Sequence, residues 1–222
     1  MYLAERLNAF KAQQYLKVPQ VILDKLHNER MKIVKSGFLE SALKKGDKVP
    51  DFAIENQQGK RVRLGDILRN SPLVLSFFRG SWCNYDRMEL EFLRDHHADI
   101  VSQGGYLLAI SPETPSNSLK VYTNYQLPFD ILYDEKSKIA KQFGISYELT
   151  ETIQDIYEAY GINISVHNGD GSCILPVPAT YVIAQDFTLS EAFVDMDHTK
   201  RMEPKIIVEC LKAITGEYNV YF

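Results

Sequence analysis

Two short apolar runs, Pro72-Leu73-Val74-Leu75-Ser76-Phe77-Phe78 and Tyr106-Leu107-Leu108-Ala109-Ile110, constrain the fold more than anything else in the chain. Each is strand length, lacks the polar alternation of a half-solvated strand and is bounded by turn residues, so each reads as a buried strand. Between them Leu90, Leu93, His97, Ile100 and Val101 form one stripe. That stripe predicts a helix from Cys83 to about Ser102, ended by Gly104-Gly105. Ser111-Pro112-Glu113-Thr114-Pro115 starts another helix through about Tyr125, and Leu127 to Leu132 returns to extended form. Helices follow over 135–143 and 150–160. Thr180 to Ala184 and Leu189 to Val194 predict a hairpin around Asp186-Phe187, closed by a helix from Glu203 to Ile214. This order implies an α/β fold, a central mixed sheet with helices on both faces. Reactive groups in such sheets sit at the carboxyl ends of strands, which directs attention to the residues after Phe78.

Ahead of this pattern lies an N-terminal helical extension, residues 1–45. Leu3, Leu7, Phe10, then Val21, Ile22, Leu26, Met31 and Val34 recur at helical spacings, and Pro19 separates two helices. Gly46 to Phe52 marks the boundary into a second unit, 46–222. Of 222 residues, 45% are hydrophobic and 24% charged, an ordinary globular balance. Lys plus Arg is 25 and Asp plus Glu is 29, so 25 − 29 = −4. No basic footprint for nucleic acid exists in that balance. Glu5 and Arg6 interrupt what would be the apolar run of a signal peptide, and no stretch of 18 apolar residues follows, so no membrane partner is expected. Three cysteines, Cys83, Cys173 and Cys210, are too few and too odd in number for a disulfide framework. They suit a reducing compartment, and the expected address is the cytoplasm.

Cys83 follows the first strand and opens the next helix. Backbone N–H groups there have no intrahelical partner, and the helix dipole favours an anion. A thiol so placed, helped by other positive charge, has its pKa lowered into the range of about 3.5–7.5. The thiolate is the nucleophile, so this position suits peroxide reduction or disulfide exchange. Arg79, four residues earlier, adds positive potential, and Trp82 supplies an apolar wall that excludes water. Each has a plainer alternative: Cys83 as a small buried apolar residue, Arg79 in a surface salt bridge, Trp82 in simple packing. Cys210, with Ile206 and Ile214 four residues to either side, reads as core. Cys173 lies in the turn-rich Gly169-Asp170-Gly171-Ser172-Cys173, from which a mobile loop would let it reach Cys83. His96-His97 cannot readily share one ion, because neighbours on a helix point about 100° apart. No metal and no cofactor are expected.

The segment Phe77-Phe78-Arg79-Gly80-Ser81-Trp82-Cys83-Asn84-Tyr85-Asp86 resembles the motif of the peroxiredoxin-like AhpC/TSA family, typically an aromatic residue and then Arg-Gly-Gly-Trp-Cys-Pro-Tyr-Cys. Gly46 to Phe52, Ile110 to Pro115 and Leu175 to Ile183 are similar to further family blocks, in matching order over roughly 46–215. The resemblance implies a thioredoxin-like fold and a cis-proline, matched by Pro178, facing the reactive cysteine. It also implies a homodimer. Departures accompany the matches. The family's second cysteine is Asp86 here and its proline is Asn84, which excludes dithiol exchange through that motif. Typical members carry a Thr three residues before the cysteine and an Arg in a later strand. Gly80 stands at the first position and Pro178-Ala179 at the second, so the usual peroxide-activating set is incomplete.

Asp86 is placed at i+3 from Cys83, with Cβ atoms roughly 5–6 Å apart. Two negative charges at that range repel by about 3 kcal/mol at an effective dielectric of 20. Pairing of Asp86 with Arg79 would cancel this, a protonated Asp86 would instead serve the leaving group, and a plain helix-N-terminal carboxylate is the third option. The leading expectation is a thiol-dependent peroxidase. Cys83 attacks a peroxide and becomes sulfenic acid, then is reduced by an external thioredoxin- or glutathione-like thiol or by Cys173. Arg79 stabilises charge, while Trp82 and Pro178 shape the substrate wall. The rivals are single-cysteine thiol–disulfide exchange and a catalytically reduced binding module.

Overall fold

The computed structural model describes residues 2–218. Residues 1 and 219–222, the ends of the two expected segments, lie outside the described residues. The chain opens with α1 (Leu3–Tyr15) and α2 (Gln20–Lys35), parted at Pro19 as its sequence requires. A short hairpin, β1 (Ala53–Glu55) and β2 (Arg61–Arg63), leads through α3 (Leu64–Leu68) to β3 (Leu73–Phe77). Then come α4 (Asn84–Asp95), α5 (His97–Ser102), β4 (Tyr106–Ser111), α6 (Pro115–Asn124) and β5 (Ile131–Tyr133). The second half carries α7 (Lys138–Gln142), β6 (Ser146–Glu148), α8 (Glu151–Ala159), α9 (Ile164–Asn168) and β7 (Ile174–Pro176). It ends with β8 (Ala179–Ile183), β9 (Leu189–Val194) and α10 (Pro204–Tyr218).

The central sheet has the order β5-β4-β3-β8-β9. β3, β4 and β5 run parallel, while β8 is antiparallel to both β3 and β9. Side chains alternate across a strand, so the apolar runs must feed two cores at once. Leu73, Leu75 and Phe77 join Leu108, Ile110, Ala179, Tyr181 and Ile183 on one face. Val74, Phe78, Leu107, Ala109 and Val182 join Leu90, Leu93, Ile207 and Leu211 on the other. Ser76 interrupts the apolar alternation of β3, and its cross-strand partner is Thr180. Both hydroxyls donate to the buried Glu89 of α4, at 3.2 and 3.1 Å. A polar pair in the middle of the sheet is thus satisfied by a carboxylate from the helix above it.

The expected single helix over 83–102 breaks at His96, whose backbone (φ −102°, ψ 7°) leaves the helical range. The two imidazoles diverge there. His96 Nδ1 lies 2.8 Å from the Phe92 carbonyl oxygen, and His97 faces Phe129. The N-terminal helices lie against the later chain. Glu203 offers its carboxylate to the free amides of Leu3 and Ala4 at the start of α1, at 3.1 and 2.7 Å. Arg6 pairs with Glu91 and Lys11 with Asp197. No helix among the described residues is long and apolar enough to cross a membrane.

Candidate active site

Beyond Phe77 the chain turns through Phe78 to Trp82 and enters α4 with Cys83 as the N-cap (φ −89°, ψ 115°). Gly80 makes this turn possible. Its φ is +152°, and a Cβ there would stand 2.5 Å from Trp82 Nε1. Any side chain at position 80 would displace the indole, which is the physical reason for the missing Thr. Glu113, fully buried just after β4, fastens the same loop. It accepts from the Ser81 amide and hydroxyl, both at 2.7 Å, and lies 2.9 Å from His167 Nδ1.

Cys83 is 4% exposed and shares an apolar cluster with Leu3 and Leu7 of α1 and with Tyr85. The buried Arg79 donates from Nη2 to Cys83 Sγ at 2.8 Å and from Nη1 to the Tyr157 hydroxyl at 3.2 Å. Its guanidinium carbon lies 4.9 Å from the centroid of the Trp82 ring, a cation–π contact. Trp82 in turn packs on Tyr157, 5.5 Å between centroids. So Trp82 sits against the arginine that touches the sulfur.

Asp86 is fully buried, and its principal partner is one the sequence did not disclose. Oδ1 accepts from Arg201 Nη2, while Oδ2 accepts from the Arg79 amide at 3.0 Å and lies 3.8 Å from Arg79 Nε. Arg201 Nε also donates to Glu89. The buried groups Arg79, Arg201, Asp86 and Glu89 therefore sum to 2 − 2 = 0 before the thiol ionises. Arg201 supplies the second cation that the motif lacked, from the segment after β9.

The lowered thiol pKa expected from the helix start is not what this environment gives. Burial pushes the Cys83 thiol above its ordinary value; Arg79 and Arg201 pull it down and Asp86 pushes it up. Desolvation by α1 and the neutral balance of the surrounding charges outweigh the helix terminus. Burial likewise raises Glu89, against the pull of Arg201.

Pro178 departs from its expected form. No peptide bond among the described residues is cis, so Val177–Pro178 is trans. The chain passes directly from β7 into β8, with the Val177 amide donating to the Ile145 carbonyl at 2.7 Å, and a trans bond suits that path. Cys173 precedes β7, half-buried beside a cluster that includes Leu149 and Ile153, with its carbonyl accepting from the Leu149 amide. Cys210 is half-buried against the second core. A cavity of about 430 Å³ lies between the N-terminal helices and α8, and of the expected site residues only Arg79 lines it.

A thioredoxin-like sheet that presents a buried cysteine–arginine pair beyond the carboxyl end of its central strand defines an α/β protein built around one thiol. The chain belongs to the AhpC/TSA family, whose model matches residues 45–192. It is similar to peroxiredoxin Q, chloroplastic, of Populus jackii, 28% identical over 109 residues covering 49% of this chain and 51% of the relative. The chain spans about half the length of the curated relatives it matches. Among solved structures, peroxidoxin BcpB from Mycobacterium tuberculosis matches with a TM-score of 0.62 at 22% identity, over 78% of this chain and 98% of that one. A yeast mitochondrial 1-Cys peroxiredoxin, described with a thiol resolving mechanism via glutathione/thioredoxin systems, matches with a TM-score of 0.61 at 14% identity, over 80% and 78%. These structural likenesses show the thioredoxin-like fold.

Arg201, Glu89, Glu113 and Tyr157 escaped the reading of the sequence. A polar Ser76 inside an apolar strand, and an acidic i, i+3 pair in α4, were the local signals for Glu89. Arg201 is 115 residues from Asp86 and gave none.

Proposed function

We propose that the protein is a thiol-dependent peroxidase that works through Cys83, with Arg79 as the group that holds charge at the sulfur. The observation that carries this reading is the 2.8 Å contact between Arg79 Nη2 and Cys83 Sγ in a buried site. Peroxiredoxin relatives and family membership support it. Sulfur attacks the outer oxygen of a hydroperoxide; an S–O bond forms and the O–O bond breaks. Sulfur is oxidised by two electrons, the peroxide is reduced to an alcohol, and the thiol proton ends on the leaving oxygen. A guanidinium beside both atoms stabilises the charge that moves between them, worth about 10²–10³ in rate for one well-placed donor.

The sulfenic acid is reduced by an external thiol, releasing water and leaving a mixed disulfide that a second external thiol reduces. The 1-Cys neighbour, with its glutathione/thioredoxin systems, supports a reductant of that class. Asp86 stands buried where a dithiol partner would be, so intramolecular exchange through the motif has no second sulfur. Steady-state consumption of hydroperoxide with glutathione or a thioredoxin system tests the reading. Turnover is abolished in Cys83→Ser and persists in Cys173→Ser. Turnover that survives Cys83→Ser contradicts the assignment.

A further inference from the structure

Breaking the O–O bond leaves a strongly basic oxygen, and a positioned acid beside it is worth about 10²–10⁴ in rate. The loop before Cys83 supplies no such acid. Gly80 has no side chain, and the Ser81 hydroxyl donates to Glu113 at 2.7 Å. Asp86 accepts at both oxygens, from Arg201 and from the Arg79 amide, and so serves there as an acceptor. Burial, Arg79, Arg201 and Arg30 push the His198 imidazole well below its ordinary value against the pull of Asp197, so that ring stands neutral.

A hydroxyl reaches the site from α8 instead. Ile153 and Ile156 are buried, and Tyr157, one turn beyond Ile153, is carried inward on the same face. The Tyr157 hydroxyl accepts from Arg79 Nη1 at 3.2 Å, while Nη2 of the same guanidinium donates to Cys83 Sγ at 2.8 Å. One rigid planar fork therefore holds both the phenol oxygen and the sulfur. The hydrogen of that hydroxyl goes to no carbonyl, carboxylate or other hydroxyl among the described residues. Arg79 and Tyr157 both line the cavity of about 430 Å³, so an oxidant entering there meets a guanidinium and a phenol O–H together.

We propose that Tyr157 is a catalytic residue, the acid that protonates the leaving oxygen of the peroxide. The inference rests on the peroxidase reading and adds the proton donor to it. The Cys83 thiolate takes the outer hydroxyl of the peroxide; the S–O bond forms, the O–O bond breaks, and the leaving oxygen takes the phenol proton. A phenol is roughly 5–6 pKa units more acidic than water, so this transfer runs downhill. The phenolate is left on Arg79 Nη1, and the proton lost by the thiol restores it. Tyr157 ends unchanged, and the thiol proton has reached the leaving oxygen by way of it. Tyr147 is the rival donor. It lines the same cavity, but burial pushes its phenol up to about 12 against the pull of Arg79, which weakens it as an acid.

Tyr157→Phe keeps the ring that packs on Trp82 and removes only the hydroxyl. Three reactions of Cys83 are compared by intact mass: oxidation by hydrogen peroxide, oxidation by peracetic acid, and alkylation by iodoacetamide. Hydroxide must be protonated as it leaves, whereas acetate, the base of an acid of pKa about 4, and iodide leave without a proton. The expected result in Tyr157→Phe is a tenfold or greater fall in the hydrogen peroxide rate, with the other two rates within twofold of native. Intact peracid and alkylation rates also show that the variant is folded with its thiol in place. Tyr160→Phe, at the exposed end of α8, leaves all three rates as they were. Equal falls in all three rates, an unmoved hydrogen peroxide rate, or the same selective loss in Tyr147→Phe overturns the assignment while the peroxidase reading stands. A native protein oxidised by hydrogen peroxide no faster than free cysteine sinks the peroxidase reading and the proton donor with it.

Discussion

Arg79 and Cys83 lie four residues apart at one strand end, so their meeting was legible in the sequence. Their electrical setting was not. Arg201 and Glu89 reach the site from a distant segment and from the next turn of α4, and together they change what Asp86 does. Asp86 does not stand alone against the thiolate; it is bonded by Arg201 and by the Arg79 amide. With two cations and two carboxylates already balanced, ionising the thiol adds an uncompensated charge in a buried place. Glu89→Gln keeps the shape of the network and removes one negative charge. The midpoint of Cys83 alkylation against pH is expected to fall by about one unit, on the order of 1.4 kcal/mol. An unchanged or higher midpoint would show that the carboxylates do not control the sulfur.

Among the elements, the apolar runs announced β3, β4 and β8 because strands buried on both faces carry little else. The two outlying strand pairs, β1–β2 and β6–β7, have only three residues per strand and give no readable period. The two N-terminal helices were visible from spacing alone, but not that α1 would lie on the thiol cluster. Leu7 is 1% exposed there, so Leu7→Ala is expected to raise the rate of Cys83 alkylation in the folded protein. The same change should cost about 2–5 kcal/mol in urea unfolding, the usual range for such a truncation. Loss of stability with no gain in alkylation would mean that α1 does not limit access.

The fastening of α1 also depends on pH. Burial pushes Asp197 upward, but hydrogen bonds from Lys11 and Thr199 win and hold its carboxyl well below the usual range. A carboxyl depressed in the folded state stabilises the fold above its unfolded value of about 3.9, and the contribution drains away as pH falls. Tm should therefore drop between about pH 5 and pH 3, and drop less in Lys11→Met, whose Asp197 has lost its main partner. An equal drop in both proteins would remove the ion pair from the account.

For the molecule as a whole, the thioredoxin-like sheet fixes where a reactive group can stand, and the N-terminal helices decide how that place is covered. The family-matched span brings the sheet and the Arg79–Cys83 pair; α1 and α2 add the burial that raises the thiol and the cavity that leads to Arg79. The fold was readable because it rests on a few unbroken apolar runs of strand length. The closed site was not, because its closure joins residues at opposite ends of the chain, as Glu203 does with Leu3. Since burial raises the thiol, oxidation should quicken as pH rises through neutrality. The most direct measurement is the second-order rate of Cys83 oxidation by hydroperoxide, by intact mass, in the native protein and in Arg79→Gln. The account predicts a native rate well above that of free cysteine at the same pH, and a loss of about 100-fold or more without the guanidinium. A native rate no better than free cysteine, or one that Arg79→Gln leaves unchanged, would contradict it.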